Sequence, residues 1–215
     1  HPRMAQLWGT EAMPETAENL AADHLISRED QDRYALLSQS RYNADWHAAD
    51  ILPVTIPGRK GDTVVSTDEH PRPTSLEKLA ALPAPFRKPG TVTAGNASGV
   101  NDGAAAVILA SAAAVRKHHL TPLARIGAAA SGAVEPRIMG IGPVEAARRL
   151  TARTGRAAQD HDVIELNEAF AAQVLACTRA WGMADDDPRL NAHGGAIAMG
   201  HPLGMSGARL AGTAA

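Results

Sequence analysis

The stretch from Asn191 to Leu210, NAHGGAIAMGHPLGMSGARL, sets two imidazoles, His193 and His201, among clustered glycines. Glycine lets a backbone approach a ligand or a neighbouring strand closely, and it permits left-handed turns. A histidine held between Gly200 and Pro202 sits on a stiff turn with its ring projecting. Imidazole titrates near neutrality, so that placement suits a general acid or base, or a donor to a developing oxyanion. The same residues also read as a tight structural turn beneath a sheet, with His201 simply hydrogen-bonded. Ser206 then opens a helix whose N-terminus favours negative charge. No Gly-Lys-Ser/Thr follows, which rejects a P-loop, and the glycine spacing fails a dinucleotide fingerprint.

Two further segments carry groups of the right kind. In Glu165-Leu166-Asn167-Glu168-Ala169-Phe170, an amide stands at a strand-to-helix junction, where α/β proteins usually place ligand groups. Asn167 could hold a water or polarise a carbonyl oxygen. It equally fits an ordinary helix N-cap. The run Gly95-Asn96-Ala97-Ser98-Gly99-Val100-Asn101-Asp102-Gly103 is too rich in Gly and Asn for a simple strand. It could cradle a polar cofactor or be a turn packed by close backbone contacts, and local chemistry leaves both open.

The elements that must position these groups follow from composition and pattern. The chain has 215 residues, 45% hydrophobic and 20% charged. At about 150 residues per domain this is one to two domains with a sizeable core. Lys and Arg number 21 against 23 Asp and Glu, a net charge of −2, which gives no electrostatic reason to expect nucleic acid or an anionic membrane. The one cysteine excludes an intrachain disulfide and any Cys-rich metal site, and fits a reducing compartment. No run reaches the roughly 18 apolar residues of a membrane span, and no signal peptide is read at the start. A cytoplasmic protein is expected. The first residue, His1, points to a processed, tagged or incomplete chain.

Aromatic and proline residues concentrate before residue 90, then small apolar residues dominate, placing a boundary near Pro89-Gly90 and a softer one near Leu120-Thr121-Pro122. Residues from Met13 to about Trp46 read as two helices, the second capped by Ser27 with acids in its first turn. A short strand is expected at Ile51 to Ile56, turning through Gly58-Arg59-Lys60-Gly61-Asp62 into Thr63-Val64-Val65. Helices are expected at Ser75 to Leu82, Ser111 to His119, Gly142 to Leu150 and Glu168 to Ala180. Strands are expected at Thr91 to Ala94, Leu123 to Ala129 and Val163 to Leu166. That alternation predicts an α/β layered architecture.

Taken together, GTVTAGNASGVNDGAAAVIL, MGIGPVEAARRL, ELNEAFAAQ and NAHGGAIAMGHPLGMSGARL resemble the thiolase family of acyl-CoA acetyltransferases in order and spacing. The first part agrees, with EAMPETAENLA, SREDQDRYALLSQSR, GRKGD, DEHPR and APFRKPGTVTAGNASG similar to a thiolase loop domain and its return to the core. MPETAEN is closest to the degradative, β-ketoadipyl-CoA-type branch. The resemblance implies a layered α/β/α fold, with residues 1–120 as the rear of the N-terminal domain and residues 121–215 as an incomplete C-terminal domain. It implies thiolytic cleavage of 3-ketoacyl-CoA with coenzyme A, or the reverse Claisen condensation. Coenzyme A and acyl-CoA are then substrates, with no metal and no permanently bound cofactor. It also implies a homodimer or homotetramer with neither nucleic acid nor membrane as partner.

Carried over by position, the resemblance makes His201 the base that activates a nucleophilic cysteine and helps form an oxyanion hole. It makes Asn167 the holder of the water completing that hole. Ser98, Phe86 and Met13 would line the pantetheine and acyl path, and Arg72 would lie near the nucleotide end. His193 stands where many members have Asn. Thiolase chemistry also needs two cysteines, and Cys177 matches neither; its mid-helix position reads as a small buried hydrophobe. The expectation is a partial chain holding the His/Asn half of a site and inactive alone. The alternative is a degenerate, non-catalytic acyl-CoA-binding or scaffold protein. A Ser/His hydrolase using Ser98 or Ser206 is disfavoured, because no Gly-x-Ser-x-Gly elbow precedes a helix.

Overall fold

In the computed structural model, which describes residues 2–215, the core is built around one helix buried on every side over most of its length. In α-helical order the chain forms α1 (Pro2–Trp8), α2 (Met13–Asp23), α3 (Arg28–Arg41), α4 (Ala44–Ala48), α5 (Leu76–Ala80), α6 (Ala112–His118), α7 (Gly142–Thr154), α8 (Ala171–Ala180), α9 (Ala196–Met199) and α10 (Ser206–Thr213). The central helix is α8, buried continuously from Ala171 to Thr178. Its small apolar residues let neighbours approach from all sides. Leu20 and Ala21 of α2, Tyr34 and Ala35 of α3 and Ile197 of α9 complete the same cluster. A 3-10 turn, Pro136–Ile141, closes another side: a Cβ on Gly140 would stand 2.8 Å from Gln173 Cγ and 2.9 Å from Leu20 Cδ1.

The capping signal at Ser27 operates as expected. Ser27 Oγ accepts from Asp30 N at 3.0 Å, and Ser27 N donates back to the Asp30 carboxylate, a reciprocal box. Ser75 and Ser111 cap α5 and α6 one way only, each hydroxyl accepting from the backbone N–H three residues on, Lys78 N and Ala114 N. The Met13–Trp46 region forms three helices rather than two, because Asn43 caps a separate short α4. Cys177 is buried, and its thiol donates to the Gly140 carbonyl at 3.5 Å.

The strand expectations fare differently. Residues Val54–Ile56 (β1) and Thr63–Val65 (β2) form the expected antiparallel hairpin, pairing Val54 with Val65 and Ile56 with Thr63. It is the one ladder among the described residues. Thr91 to Ala94 is not a strand: Glu18, buried on α2, accepts from Thr91 N, Thr91 Oγ and Val92 N at 2.7–2.8 Å. One carboxylate there does what a neighbouring strand's carbonyls would do. Val163 to Leu166 makes a single parallel bridge, Ile164 to Leu190. Leu123 to Ala129 pairs with nothing in regular structure, and Leu123 and Ile126 are 85% and 72% exposed. Strand pattern alone makes no strand, since a ladder needs a partner that sequence-local signals cannot supply. Among the described residues no helix is long and apolar enough to cross a membrane.

Candidate active site

Backbone pairing brings the three chemistry-bearing segments together. Ala97 bridges Phe170 antiparallel, Ser98 N donates to Ala169 O at 3.0 Å, and Ala171 N donates to Asn96 O at 2.9 Å. This pairing is why α8 starts at Ala171 rather than Glu168: residues before it stay extended to hold the Asn96–Ser98 turn. On the other side Val100 bridges His201, and His201 N donates to Gly99 O at 3.1 Å. Asn101 Oδ1 accepts from the same amide at 3.2 Å. Gly200 has φ +94°, and a Cβ there would meet Asn101 Oδ1 at 2.2 Å, so only glycine allows this turn.

The two groups singled out from the sequence meet. Asn167 Nδ2 lies 3.3 Å from His201 Nε2, and His201 Nδ1 lies 2.6 Å from Ser206 Oγ. Both Asn167 and His201 are half-buried, and Asn167 Oδ1 is buried with no hydrogen-bond partner among the described residues. Burial pushes His201 below the usual imidazole range, and Arg209 adds to that shift. The ring is therefore neutral near neutral pH and a weaker base than a free imidazole. Glu165, two residues before Asn167, faces Arg209 at 3.5 Å; burial raises its carboxyl to about 7 against the pull of Arg209.

Beneath this pair sits a carboxylate that sequence reasoning passed over. Glu168 is fully buried and accepts from Tyr34 Oη (2.8 Å), Ser38 Oγ (2.6 Å), Asn191 Nδ2 (2.9 Å) and Ile197 N (3.0 Å). Asn191 also brackets Leu166, accepting from its N–H and donating to its carbonyl. These bonds span 23 to 134 residues of sequence, so nothing local announces them. They tie the Asn167 segment to α3 and to the loop before His201.

The Thiolase, N-terminal domain family model matches residues 2–113, and the Thiolase, C-terminal domain model matches residues 120–215. The chain belongs to the thiolase family. A beta-ketoadipyl-CoA thiolase of Pseudomonas aeruginosa is 59% identical over all of this chain, and a mitochondrial 3-ketoacyl-CoA thiolase of Bos taurus is 52% identical over 91% of it. The crystal structure of human mitochondrial 3-ketoacyl-CoA thiolase superposes with a TM-score of 0.86 at 50% identity, covering 93% of this chain and 51% of that one. The fold is thus the layered α/β thiolase fold in part. The chain spans about half the length of these relatives, 55% and 50% of the two enzymes compared by sequence.

Against that thiolase frame the remaining candidates separate. Ser98 lies in the cluster, its hydroxyl donating to Ala169 O at 3.2 Å. Met13 and Phe86 are exposed, at the start of α2 and on the loop after α5. Arg87, next to Phe86, binds the Glu15 carboxylate and Asn19, tying that loop to α2. Arg72 is exposed, its Nε donating to His70 O within its own loop. His193 is held elsewhere: its ring stacks on Trp46 at 4.1 Å and its carbonyl accepts from His47 Nε2. Cys177 is buried against the 3-10 turn, and burial pushes its thiol up to about 12, which leaves it inert as a nucleophile.

Proposed function

We propose that this chain carries the histidine–asparagine half of a thiolase active site, acting in acyl transfer between a 3-ketoacyl-CoA and coenzyme A. The observation that carries this reading is the approach of Asn167 to His201 Nε2, brought about by two segments far apart in sequence. In the reaction a cysteine thiolate attacks the thioester carbonyl carbon, and the carbonyl π electrons move onto oxygen. His201 Nε2 takes the thiol proton as the thiolate forms. Once protonated, the same nitrogen donates to the oxyanion, and Asn167 Oδ1 is free to hold a water that donates alongside it. The low basicity of a half-buried imidazole suits an acid–base group that works near neutrality.

The nucleophile is not among this chain's groups, since its one thiol is buried in the core. We assign it, and the second cysteine of the family chemistry, to residues beyond these 215. Ser98, Met13 and Phe86 line the pantetheine and acyl path, and Arg72 serves the nucleotide end. The relatives named for beta-ketoadipyl-CoA support a role on a 3-ketoacyl-CoA of that kind; a cytoplasmic location and a homo-oligomeric state are assigned on the family resemblance alone. The same buried thiol is the basis of a second reading, a non-catalytic acyl-CoA-binding protein. Incubating the chain alone with acetoacetyl-CoA and coenzyme A tests the half-site: no acetyl-CoA is expected, and measurable formation would overturn it.

A further inference from the structure

Ser206 stands behind the His201 ring, its Oγ 2.6 Å from Nδ1 and 3.1 Å from the Pro202 carbonyl oxygen. A hydroxyl carries one hydrogen, and a carbonyl oxygen only accepts. With that hydrogen given to Pro202, Oγ is left as an acceptor toward Nδ1, which then bears the proton and donates it to Ser206 Oγ. On the opposite edge of the ring, Asn167 presents its Nδ2 donor 3.3 Å from Nε2, and only a nitrogen lone pair can accept there. The contacts on both edges are satisfied together by one tautomer, with the proton on Nδ1 and the lone pair on Nε2.

We propose that Ser206 is a positioning residue that locks His201 in the Nδ1–H tautomer. The local sequence provides for this. Pro202 caps the turn after His201, and its carbonyl also accepts from Met205 N (2.9 Å) and Ser206 N (3.0 Å), closing the backbone into α10. Four residues on, a serine at the helix start folds its hydroxyl back to that same carbonyl, a short-range bond that Ser makes readily. Ser206 is 3% exposed, sits on the Nδ1 edge and has its hydrogen engaged, so it is no nucleophile despite its closeness to a histidine.

The consequence rests on the acyl-transfer reading above. With Nδ1–H fixed on Ser206, the free neutral ring presents Nε2 as a base. After Nε2 takes a thiol proton, the imidazolium keeps its bond to Ser206 and offers Nε2–H to the oxyanion. One nitrogen performs both steps without a ring flip or a tautomer change.

The lock is tested in the chain itself, by long-range proton–nitrogen correlation spectra with 15N-labelled histidine above the His201 titration. The His201 signals are identified by their loss in His201→Gln. The expected result is a pyrrole-type Nδ1 and a pyridine-type Nε2. Ser206→Ala is expected to mix in the Nε2–H form, and Ser206→Thr, which keeps the hydroxyl, to restore the original pattern. A pyridine-type Nδ1 in the unaltered chain, or an unchanged pattern in Ser206→Ala, would overturn the proposal. Should Ser206→Ala fail to fold, the unaltered chain and Ser206→Thr decide. The spectrum reads the tautomer whether or not acyl transfer occurs, so failure of the enzymatic reading is separately visible in turnover.

Discussion

Gly195 lacks a side chain because Glu168 occupies the space: a Cβ on Gly195 would lie 2.1 Å from the Glu168 carboxyl carbon. The second glycine after His193 thus admits the buried carboxylate of another motif, and the two motifs lock together with Asn167 on one and His201 beyond the other. Overpacking a filled interior costs about 1–3 kcal/mol. Gly195→Ala is expected to lower the urea unfolding midpoint by an amount in that range, and an unchanged midpoint would mean the loop yields freely.

The carboxylate itself is a second test. Truncating Glu168 to Ala would leave the donors of Tyr34, Ser38, Asn191 and Ile197 facing a hole. Buried donors stripped of a charged acceptor cost about 3–5 kcal/mol in all. Glu168→Gln keeps the volume and one acceptor oxygen, so it should lose less than Glu168→Ala. Equal losses in denaturant titrations would show that shape, rather than acceptance, is what the site requires.

Of the two histidines in the glycine-rich segment, one is structural. His193 stacks on Trp46, and aromatic pairs of this geometry contribute about 0.5–1.5 kcal/mol. His193→Asn is expected to cost stability of that order while leaving the His201 imidazole resonances in place. Movement of those resonances comparable with that in Ser206→Ala would place His193 in the acid–base group after all.

Two titrations in the site pull in opposite directions. His201 has its folded pKa lowered below the ordinary 6.5, by burial first and Arg209 second, so the unfolded chain binds more protons just below 6.5. Its contribution to stability is therefore present at neutral pH and lost as pH falls from 6.5 through the folded pKa. Glu165 is raised from 4.5 to about 7, chiefly by burial, so the folded chain binds more protons between those values. Its contribution is present below 4.5 and lost as pH rises through about 7. Glu165→Gln removes the second dependence, and stability measured from pH 5 to 7 should then rise more steeply with pH than in the unaltered chain. An identical slope would mean that Glu165 titrates as an ordinary exposed carboxylate.

How much of this was legible before the structure depends on the range of the interaction. Ser27 announces its helix because a cap acts within three residues, and Ser75 and Ser111, expected only as helix starts, are caps of the same short range. His201 and Asn167 were legible by residue type and motif, and the segments carrying them do meet. Glu168, Tyr34 and Asn191 were not, because their bonds join residues up to 134 apart and each side chain alone is unremarked. Thr91 to Ala94 read as a strand since its pattern is strand-like, yet Glu18 took the bonds a ladder would have made. Ser206 is a helix start, as the sequence predicts; its second bond, to the histidine ring, follows only once Pro202 turns the chain back.

The central claim is that His201 and Asn167 in this chain form a working half of a thiolase site. It is met most directly by replacing the matching segment of the Pseudomonas aeruginosa relative with these 215 residues and measuring acetyl-CoA released from a 3-ketoacyl-CoA and coenzyme A. The chimera is expected to turn over, and His201→Gln within it to fall by about 10²–10⁴-fold, the range for loss of a general acid–base group. A folded chimera that releases no acetyl-CoA, or one indifferent to His201→Gln, would contradict the account and favour a chain that only binds acyl-CoA.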